Sequence, residues 1–186
     1  IIYYATISQL YKSVDAGNTF TLFPPKPGGA GSNNITITSI DIAREGNDYL
    51  VAVGTRDTDS SQYGGVYLLN ENQPLWGWSN TNIGNYDVLA VAFSPNFTAN
   101  QQLVAVVTNE QDTLVTTKVG DAGWGQNFSE ATIEDVASQG ASIAFPDNYG
   151  ATRDTFILFV GINSNSSKGD AYIIYSQAAP ESPIVT

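Results

Sequence analysis

The sequence lacks Cys, His and Met entirely, and only seven of its 186 residues are Lys or Arg. Without Cys and His, the chain cannot form disulfides, thiol nucleophiles, zinc sites of thiolate or imidazole ligands, or a Ser-His-Asp triad. Its 18 Asp and Glu give a net charge of −11, which makes phosphate backbones and anionic membrane surfaces poor partners. We therefore predict no nucleic-acid partner and no cofactor.

Charge of either sign is sparse, at 13% of residues, whereas 42% are hydrophobic. That hydrophobic content excludes wholesale disorder, and no apolar run approaches the roughly 18 residues of a membrane span. Solubility rests on Ser, Thr, Asn and Gln, a balance typical of secreted β-rich proteins, so we predict an extracellular or cell-surface location without membrane insertion. The sequence opens directly on Ile1-Ile2-Tyr3-Tyr4 without an initiator Met, and we expect this start to be cut or processed.

An internal repeat of about 52 residues is the strongest signal in the sequence. A short alternating strand recurs at spacings of 51 and 52 residues, at Ile40, Val91 and Ile143. Each is followed by a more apolar second strand, aligned in sequence on Leu50, Leu103 and Ile157, and then by a third. The second strands are nearly continuous hydrophobic runs, as expected for strands buried on both faces.

This repeat predicts an all-β fold, because a period of about 50 residues with three or four strands is typical of a β-propeller blade. We predict a propeller segment of about three and a half four-stranded antiparallel blades in one domain. Its parts are a partial blade over 1–27 and blades over 28–84, 85–139 and 140–186, with the completeness of the last left open. A β-sandwich would explain the short strands but not the fixed order of strand types. At most one helical turn is expected, within Ser129–Gln139.

A turn motif of the form Ser-x-Asp-x-Gly-x-Thr-(Trp/Phe) occurs at Ser13, Asp15, Gly17, Thr19 and Phe20. This resembles the Asp-box, or BNR, propellers, a group that includes sialidases, sortilin-type ectodomains, xyloglucanase-like hydrolases and photosystem assembly factors. In such a turn the Asp can accept hydrogen bonds from the following amides, the Gly supplies positive φ, and the aromatic packs between blades. The resemblance implies a structural box away from any substrate face, so we assign all five residues to fold maintenance.

Later repeats keep this box only in part. Leu69–Trp76 retains an acid and the terminal aromatic, Gly120–Trp124 retains Asp-x-Gly, and Ser176–Ala179 has no box. A second echo links Phe93-Ser94-Pro95-Asn96-Phe97 with Phe145-Pro146-Asp147-Asn148-Tyr149. This phrase resembles the first-strand exit of secreted bacterial propellers of the same kind.

Candidate catalytic residues are few. A sialidase needs an arginine triad, and the chain has only three arginines, none in that family's Phe-Arg-Ile-Pro context: Arg44, Arg56 and Arg153. A xyloglucanase-like hydrolase needs two carboxylates facing each other across a cleft. Asp41 is the best single candidate because first strands line a propeller channel, but Ala92 and Ala144 hold the equivalent positions. We favour a channel-lining Asp41 bonded to backbone amides.

Asp57 and Asp59 open a loop with oxygens at alternating positions, which is how a Ca²⁺ loop begins. The loop lacks the Gly and Glu that such a site needs at its sixth and twelfth positions, so an ordinary polar turn is favoured. Glycosylation sequons stand at a frequency close to chance, at Asn34, Asn96, Asn127 and Asn165. Three tryptophans could stack on sugars or wedge between blades, the favoured role: Trp76, Trp78 and Trp124.

These observations predict a non-enzymatic propeller that acts as a structural or binding scaffold outside the cell or in its envelope. The alternatives are a fragment of a xyloglucanase-like glycoside hydrolase and an assembly factor that docks a partner on its channel face. An open propeller would expose two sheet flanks. We expect further blades of the same protein or a surface assembly of other copies to cover them, with carbohydrate as another possible ligand. A second copy that completes the ring is the less favoured arrangement.

Overall fold

Strands make up nearly all of the regular structure in the computed structural model, which describes residues 1–24, 26–72, 77–126, 130–151, 155–164, 171–175 and 184–185. Within these ranges the strands form four antiparallel sheets. In each sheet, strands adjacent in sequence are also adjacent in space, so every sheet is a meander. The predicted all-β fold is confirmed.

The sheets follow one another along the chain. The first sheet contains β1 (Ile2–Ala5), β2 (Leu10–Ser13) and β3 (Thr21–Leu22). The second contains β4 (Ile35–Glu45), β5 (Asp48–Asp57), β6 (Gly65–Asn70) and β7 (Ser79–Asn80). The third contains β8 (Asp87–Phe93), β9 (Gln102–Thr108), β10 (Thr113–Val119) and β11 (Ala131–Glu134). The fourth contains β12 (Gly140–Ala144), β13 (Ile157–Asn163), β14 (Ala171–Tyr175) and β15 (Ile184–Val185).

The described residues include one short α-helix, α1 (Phe97–Asn100), and a 3₁₀ turn at Pro27–Gly29. The prediction of a helical turn within Ser129–Gln139 was wrong, because Ala131–Glu134 forms β11 and pairs with β10. Ala131 and Ile133 alternate with an exposed Thr132, and this period of two buries both in the core. No helix in the described ranges has the length and apolar character needed to cross a membrane.

Three apolar layers lie between successive sheets. The layer between the first and second sheets includes Leu10, Phe23, Ile37, Val51, Val53 and Leu69. The layer between the second and third includes Ala52, Val66, Val88, Val91, Leu103 and Ala105. The layer between the third and fourth includes Leu89, Val104, Val106, Leu158, Val160 and Ile174. Each middle sheet therefore contributes to two layers, and β9 is buried over all seven of its residues.

Leu50 and Leu103, aligned by the sequence repeat, point in opposite directions along this stack. Leu50 of the second sheet and Leu103 of the third meet in the same layer from its two sides. The pairing explains this, since Asp41 is opposite Ala52 in the second sheet, whereas Ala92 is opposite Val104 in the third. The second strands are thus displaced by one residue relative to the sequence alignment, and one residue reverses the facing of a side chain.

Bulges recur at the sequence period. The pairing of β4 with β5 is interrupted between Ile37 and Ser39, and that of β8 with β9 between Val88 and Ala90. The Thr38 hydroxyl at the first bulge lies 3.0 Å from the Gly54 carbonyl and 2.7 Å from the Val88 carbonyl of the third sheet. The bulge thus turns a side chain toward the neighbouring sheet.

Polar pairs cross the other two junctions. Between the first and second sheets, Lys12 forms an ion pair with Glu71, which also accepts a hydrogen bond from the Tyr3 hydroxyl. Burial and the Glu71 carboxylate raise the pKa of Tyr3 above its ordinary value. Between the fourth and third sheets, the Tyr172 hydroxyl donates to the buried Glu134.

Candidate functional site

A groove lies over the junction of the second and third sheets, where β4 turns into β5 and β8 leads into α1. Two adjoining cavities of about 370 and 310 Å³ share the side chains of Phe93 and Phe97. We call this region the seam groove; its lining includes Asp41, Arg44, Glu45, Leu50, Leu68, Phe93, Phe97, Leu103, Lys118 and Asp121.

The aromatic pair that divides the seam groove is repeated at the next junction. Phe93 and Phe97 pack edge to face with ring centroids 4.7 Å apart, and Phe145 and Tyr149 do the same at 4.6 Å. The hydroxyl of the buried Tyr149 also donates to Oε1 of Gln102 at 2.8 Å, which links the fourth sheet's loop to the third sheet. The repeated sequence phrase therefore builds the same contact twice, with an added hydrogen bond at the second position.

Asp41 lines the seam groove, with both carboxylate oxygens bonded to backbone amides. Oδ2 accepts a hydrogen bond from the Phe93 amide at 2.7 Å, and Oδ1 accepts one from the Ile42 amide at 2.9 Å. Burial raises the pKa of Asp41, while these two amide bonds act in the opposite direction. A carboxyl group with a raised pKa in a groove is a candidate proton donor, but here it is committed to joining β4 to β8.

The remaining charged side chains of the seam groove have both signs and lie around an apolar floor. The Lys118 ammonium donates to the carbonyls of Gly120 and Ala122 at 2.7 and 2.6 Å, so this cation is already satisfied by backbone. Arg44 is exposed, and its Nε donates to the Gly46 carbonyl at 3.0 Å. Glu45 and Asp121 are exposed, and neither carboxylate makes a hydrogen bond or ion pair within the described part of the chain.

The Asp-box turn has a closed set of local hydrogen bonds. The Ser13 hydroxyl donates to Asp15 Oδ1 at 2.7 Å and accepts from the Gly17 amide at 2.8 Å. The Thr19 amide and hydroxyl both donate to Asp15, at 2.9 and 2.6 Å. Gly17 has φ 91°, a conformation that favours Gly. The bonds from Thr19, and then that from Ser13, lower the pKa of Asp15 to about 2.

The resemblance predicts that Phe20, the aromatic residue of the box, packs between two sheets, but it does not. It packs edge to face on Tyr4 of its own sheet, with ring centroids 5.0 Å apart, and stays partly exposed. Tyr4 belongs to the face of the first sheet that no other described sheet covers. The difference therefore arises because Phe20 meets only its own sheet on that side.

Asp57 and Asp59, the candidate metal ligands, both accept hydrogen bonds from groups of the protein. Oδ1 of the buried Asp57 accepts from the Asp59 amide at 2.9 Å, and Asp59 Oδ2 accepts from the Asn34 side-chain amide at 2.7 Å. A search of the described residues finds no cluster of three or more acidic residues able to hold a metal ion. The geometry therefore gives no support to the candidate site.

Asp87, at the junction of the second and third sheets, was not predicted from the sequence. Its side chain is only 1% exposed, and Oδ1 accepts from the amides of Asp57 and Gly64, each at 2.9 Å. Arg56 Nε lies 3.7 Å from Oδ2, and burial raises the pKa of Asp87. The only signal available was a lone acid immediately before an apolar strand, which has no distinctive spacing.

The tryptophans considered for sugar stacking are half-buried where the structure describes them, whereas the described glycosylation candidates are exposed. The indole N–H of Trp78 donates to the Pro24 carbonyl and that of Trp124 to the Thr81 hydroxyl, each at 3.0 Å, and both rings pack against the inter-sheet layers. Asn34 and Asn96 are exposed. Trp76, Asn127, Arg153 and Asn165 lie outside the described residues.

Exposed large apolar side chains are confined to the two end sheets within the part of the chain that the structure describes. Those of the first sheet, its turns and its N-terminus are Ile1, Ile2, Tyr4, Ile7, Val14, Phe20 and Leu22. The fourth sheet adds Phe159, which is 45% exposed. The middle sheets add none, because neighbouring sheets cover both of their faces.

No family model matches this chain, and no curated protein or solved structure matches it either. Its functional interpretation therefore depends on the fold and on the geometry described above.

Proposed function

We propose that this chain is a segment of an Asp-box-type β-propeller that acts as a non-enzymatic scaffold outside the cell or in its envelope. Its end sheets bind further protein. The observation that carries this proposal is the confinement of exposed large apolar side chains to the end sheets. Natural proteins rarely leave such faces and sheet edges bare, and contiguous apolar patches usually mark interaction sites.

Three repeated features support a propeller rather than a sandwich. The first strands β4, β8 and β12 contact one another in succession, as the inner strands of neighbouring blades do. The bulges at Thr38 and Leu89 recur at the sequence period, and so do the aromatic pairs that follow β8 and β12. A sandwich of two sheets has no reason to repeat such details from one sheet to the next.

The carboxylates at the junctions support a scaffold rather than a catalyst. Asp41, Asp57 and Asp87 all accept hydrogen bonds from backbone amides, so each stabilises a turn or a sheet junction. The xyloglucanase-like alternative is favoured by one observation, the raised pKa of Asp41 within the seam groove. That alternative needs a second carboxylate across the cleft.

The exposed apolar faces can be tested with a fluorescent dye that binds apolar surface, such as ANS. At a protein concentration where every protein is a single chain, we expect the wild type to bind ANS, and Leu22→Ser and Phe159→Ser each to reduce the fluorescence without lowering the unfolding midpoint. Thr98→Ser is the matched control, since Thr98 is exposed on α1 away from both end sheets. Equal dye binding by all four proteins would contradict the proposal.

A further inference from the structure

We infer that the outer face of the first sheet binds the outer face of the fourth sheet of a second copy of this chain, head to tail. The inference rests on the proposed function, because it names the partner of the two end faces. Its basis is the shape of the two faces and a register position that the fourth sheet shares with the second.

The outer face of the first sheet is a ridge of large side chains, which we call the aromatic face. Tyr4 stacks on Tyr11 with ring centroids 4.8 Å apart, and Phe20 closes against Tyr4. Ile2 and Leu22 flank this group and are 43% and 53% exposed. The face therefore presents aromatic and aliphatic surface that protrudes from its sheet.

The outer face of the fourth sheet, which we call the Phe159 face, carries Phe159 and its cross-strand partner Ile173. Small residues beside them line a cavity of about 360 Å³, namely Ser142, Ala144, Gly161 and Ala171. Alternate residues of β13, Leu158, Val160 and Ile162, turn the other way and bury against the third sheet. The small residues of this cavity leave space for large side chains of the aromatic face, whereas two aromatic faces would bring large side chains against each other.

The strand register shows how the corresponding face of the second sheet is covered within the chain. Ser39 is opposite Gly54 in the second sheet, and Ser142 is opposite Gly161 in the fourth. A Cβ added to Gly54 would lie 2.6 Å from Val88 Cγ1, so glycine at this position lets the third sheet approach closely. Gly161 on the Phe159 face is therefore equivalent to Gly54, the position at which the third sheet packs closely on the second.

The orientation of the proposed contact follows from the order in which the sheets stack along the chain. Each of the two middle sheets packs one face on the preceding sheet and the opposite face on the following sheet. A second copy seated with its aromatic face on the Phe159 face continues this order and makes a heterologous contact. None of the side chains named on either face carries a charge.

Because the chain has no native Cys, single cysteines can test the orientation. Leu22→Cys labels the aromatic face, Ala144→Cys labels the Phe159 face, and Thr98→Cys on α1 is the control. We expect a short bismaleimide to link the mixture of Leu22→Cys and Ala144→Cys chains. Each variant alone, and either one mixed with Thr98→Cys, should stay at background. Efficient linkage of Leu22→Cys to itself would overturn the head-to-tail contact but leave the end faces as interfaces.

Solution mass gives the second readout. We expect wild type to reach the mass of at least two 19.9 kDa chains with rising concentration. Gly161→Val, which fills the Phe159 face, should remain a single chain with an unchanged circular dichroism spectrum, and Phe159→Ser serves the same purpose if Gly161→Val misfolds. A wild-type mass of one chain at every concentration, or unaltered association of a folded variant, would overturn the inference. A single-chain mass together with strong ANS binding would still leave the proposed function standing.

Discussion

Asp41 on β4 and Phe93 on β8 are joined by a 2.7 Å hydrogen bond from the Phe93 amide to the Asp41 carboxylate. The bond crosses between two sheets at the first strand of each, and Thr38 makes a second such link to the Val88 carbonyl. Two side chains of one strand thus fix the position of the next sheet through its backbone, independently of the side chains on β8.

We expect Asp41→Ala to destabilise the fold, because the Phe93 amide loses its acceptor in a largely buried position. The loss should be about 1–3 kcal/mol, the cost typical of a buried group left unpaired. Urea unfolding measures it, and Thr38→Val, which removes the neighbouring hydroxyl, is the matched comparison. An Asp41→Ala chain as stable as wild type would show that the link does not hold the junction.

Turnover provides a separate test of Asp41. We expect no hydrolysis of aryl glycosides, sialosides or xyloglucan oligomers above background, since both Asp41 oxygens are engaged by amides. The assay compares wild type with Asp41→Asn under identical conditions. Activity present in wild type and absent from Asp41→Asn would favour the hydrolase alternative.

The pH dependence of stability should have opposite signs at Asp15 and Asp41. The Asp15 pKa is lowered to about 2, so its stabilising contribution is full above its ordinary pKa of 3.8 and is lost as the pH falls toward 2. The Asp41 pKa is raised, so its contribution is full below its ordinary pKa and is lost as the pH rises through the raised value.

Thermal midpoints of wild type, Asp15→Asn and Asp41→Asn across pH 2 to 8 would measure both effects. The advantage of wild type over Asp15→Asn should be a few degrees at neutral pH and should shrink in acid. Salt should weaken it, because Asp15 is exposed. An Asp15 advantage that grows in acid would contradict the assignment of the box to fold maintenance.

Tyr149→Phe should cost about 1–2 kcal/mol, because the ring contacts persist while the buried hydrogen bond to Gln102 is lost. The result should resemble the preceding junction, where Phe97 fills the equivalent position without a hydroxyl. Chemical unfolding with an unchanged circular dichroism spectrum is the measurement. A loss below about 0.3 kcal/mol would mean that the hydroxyl is replaceable by water.

Hydrophobic runs were enough to predict the strands, and β9 covers the same seven residues as the predicted run, Gln102–Thr108. They were not enough to predict which face of its sheet each side chain takes. Leu50 and Leu103 have similar sequence surroundings, and only the pairing with β4 and β8 decides the face of each. Local charge misled the prediction for 131–134, where burial against the third apolar layer overrides a weak helix-start signal.

The candidate site was less accessible to sequence reasoning than the strands. The repeated Phe-Ser-Pro-Asn-Phe phrase was visible, but its edge-to-face ring pair depends on how the loop folds back on β8. Asp87 was invisible because its partners, the amides of Asp57 and Gly64, carry no residue-type signal. A hydrogen bond between a side chain and a distant backbone amide leaves no pattern in the amino-acid sequence.

The stacking of sheets in chain order has a consequence for how the molecule opens. Because each sheet gains its main contacts from its immediate neighbours, local stability should be graded along the stack as in a linear repeat protein. Amide protons of β9, enclosed over its whole length, should exchange with solvent only in the largest openings, and those of β1 through fraying. The lifetime of the folded chain would then depend on how well the outer faces of the first and fourth sheets are covered.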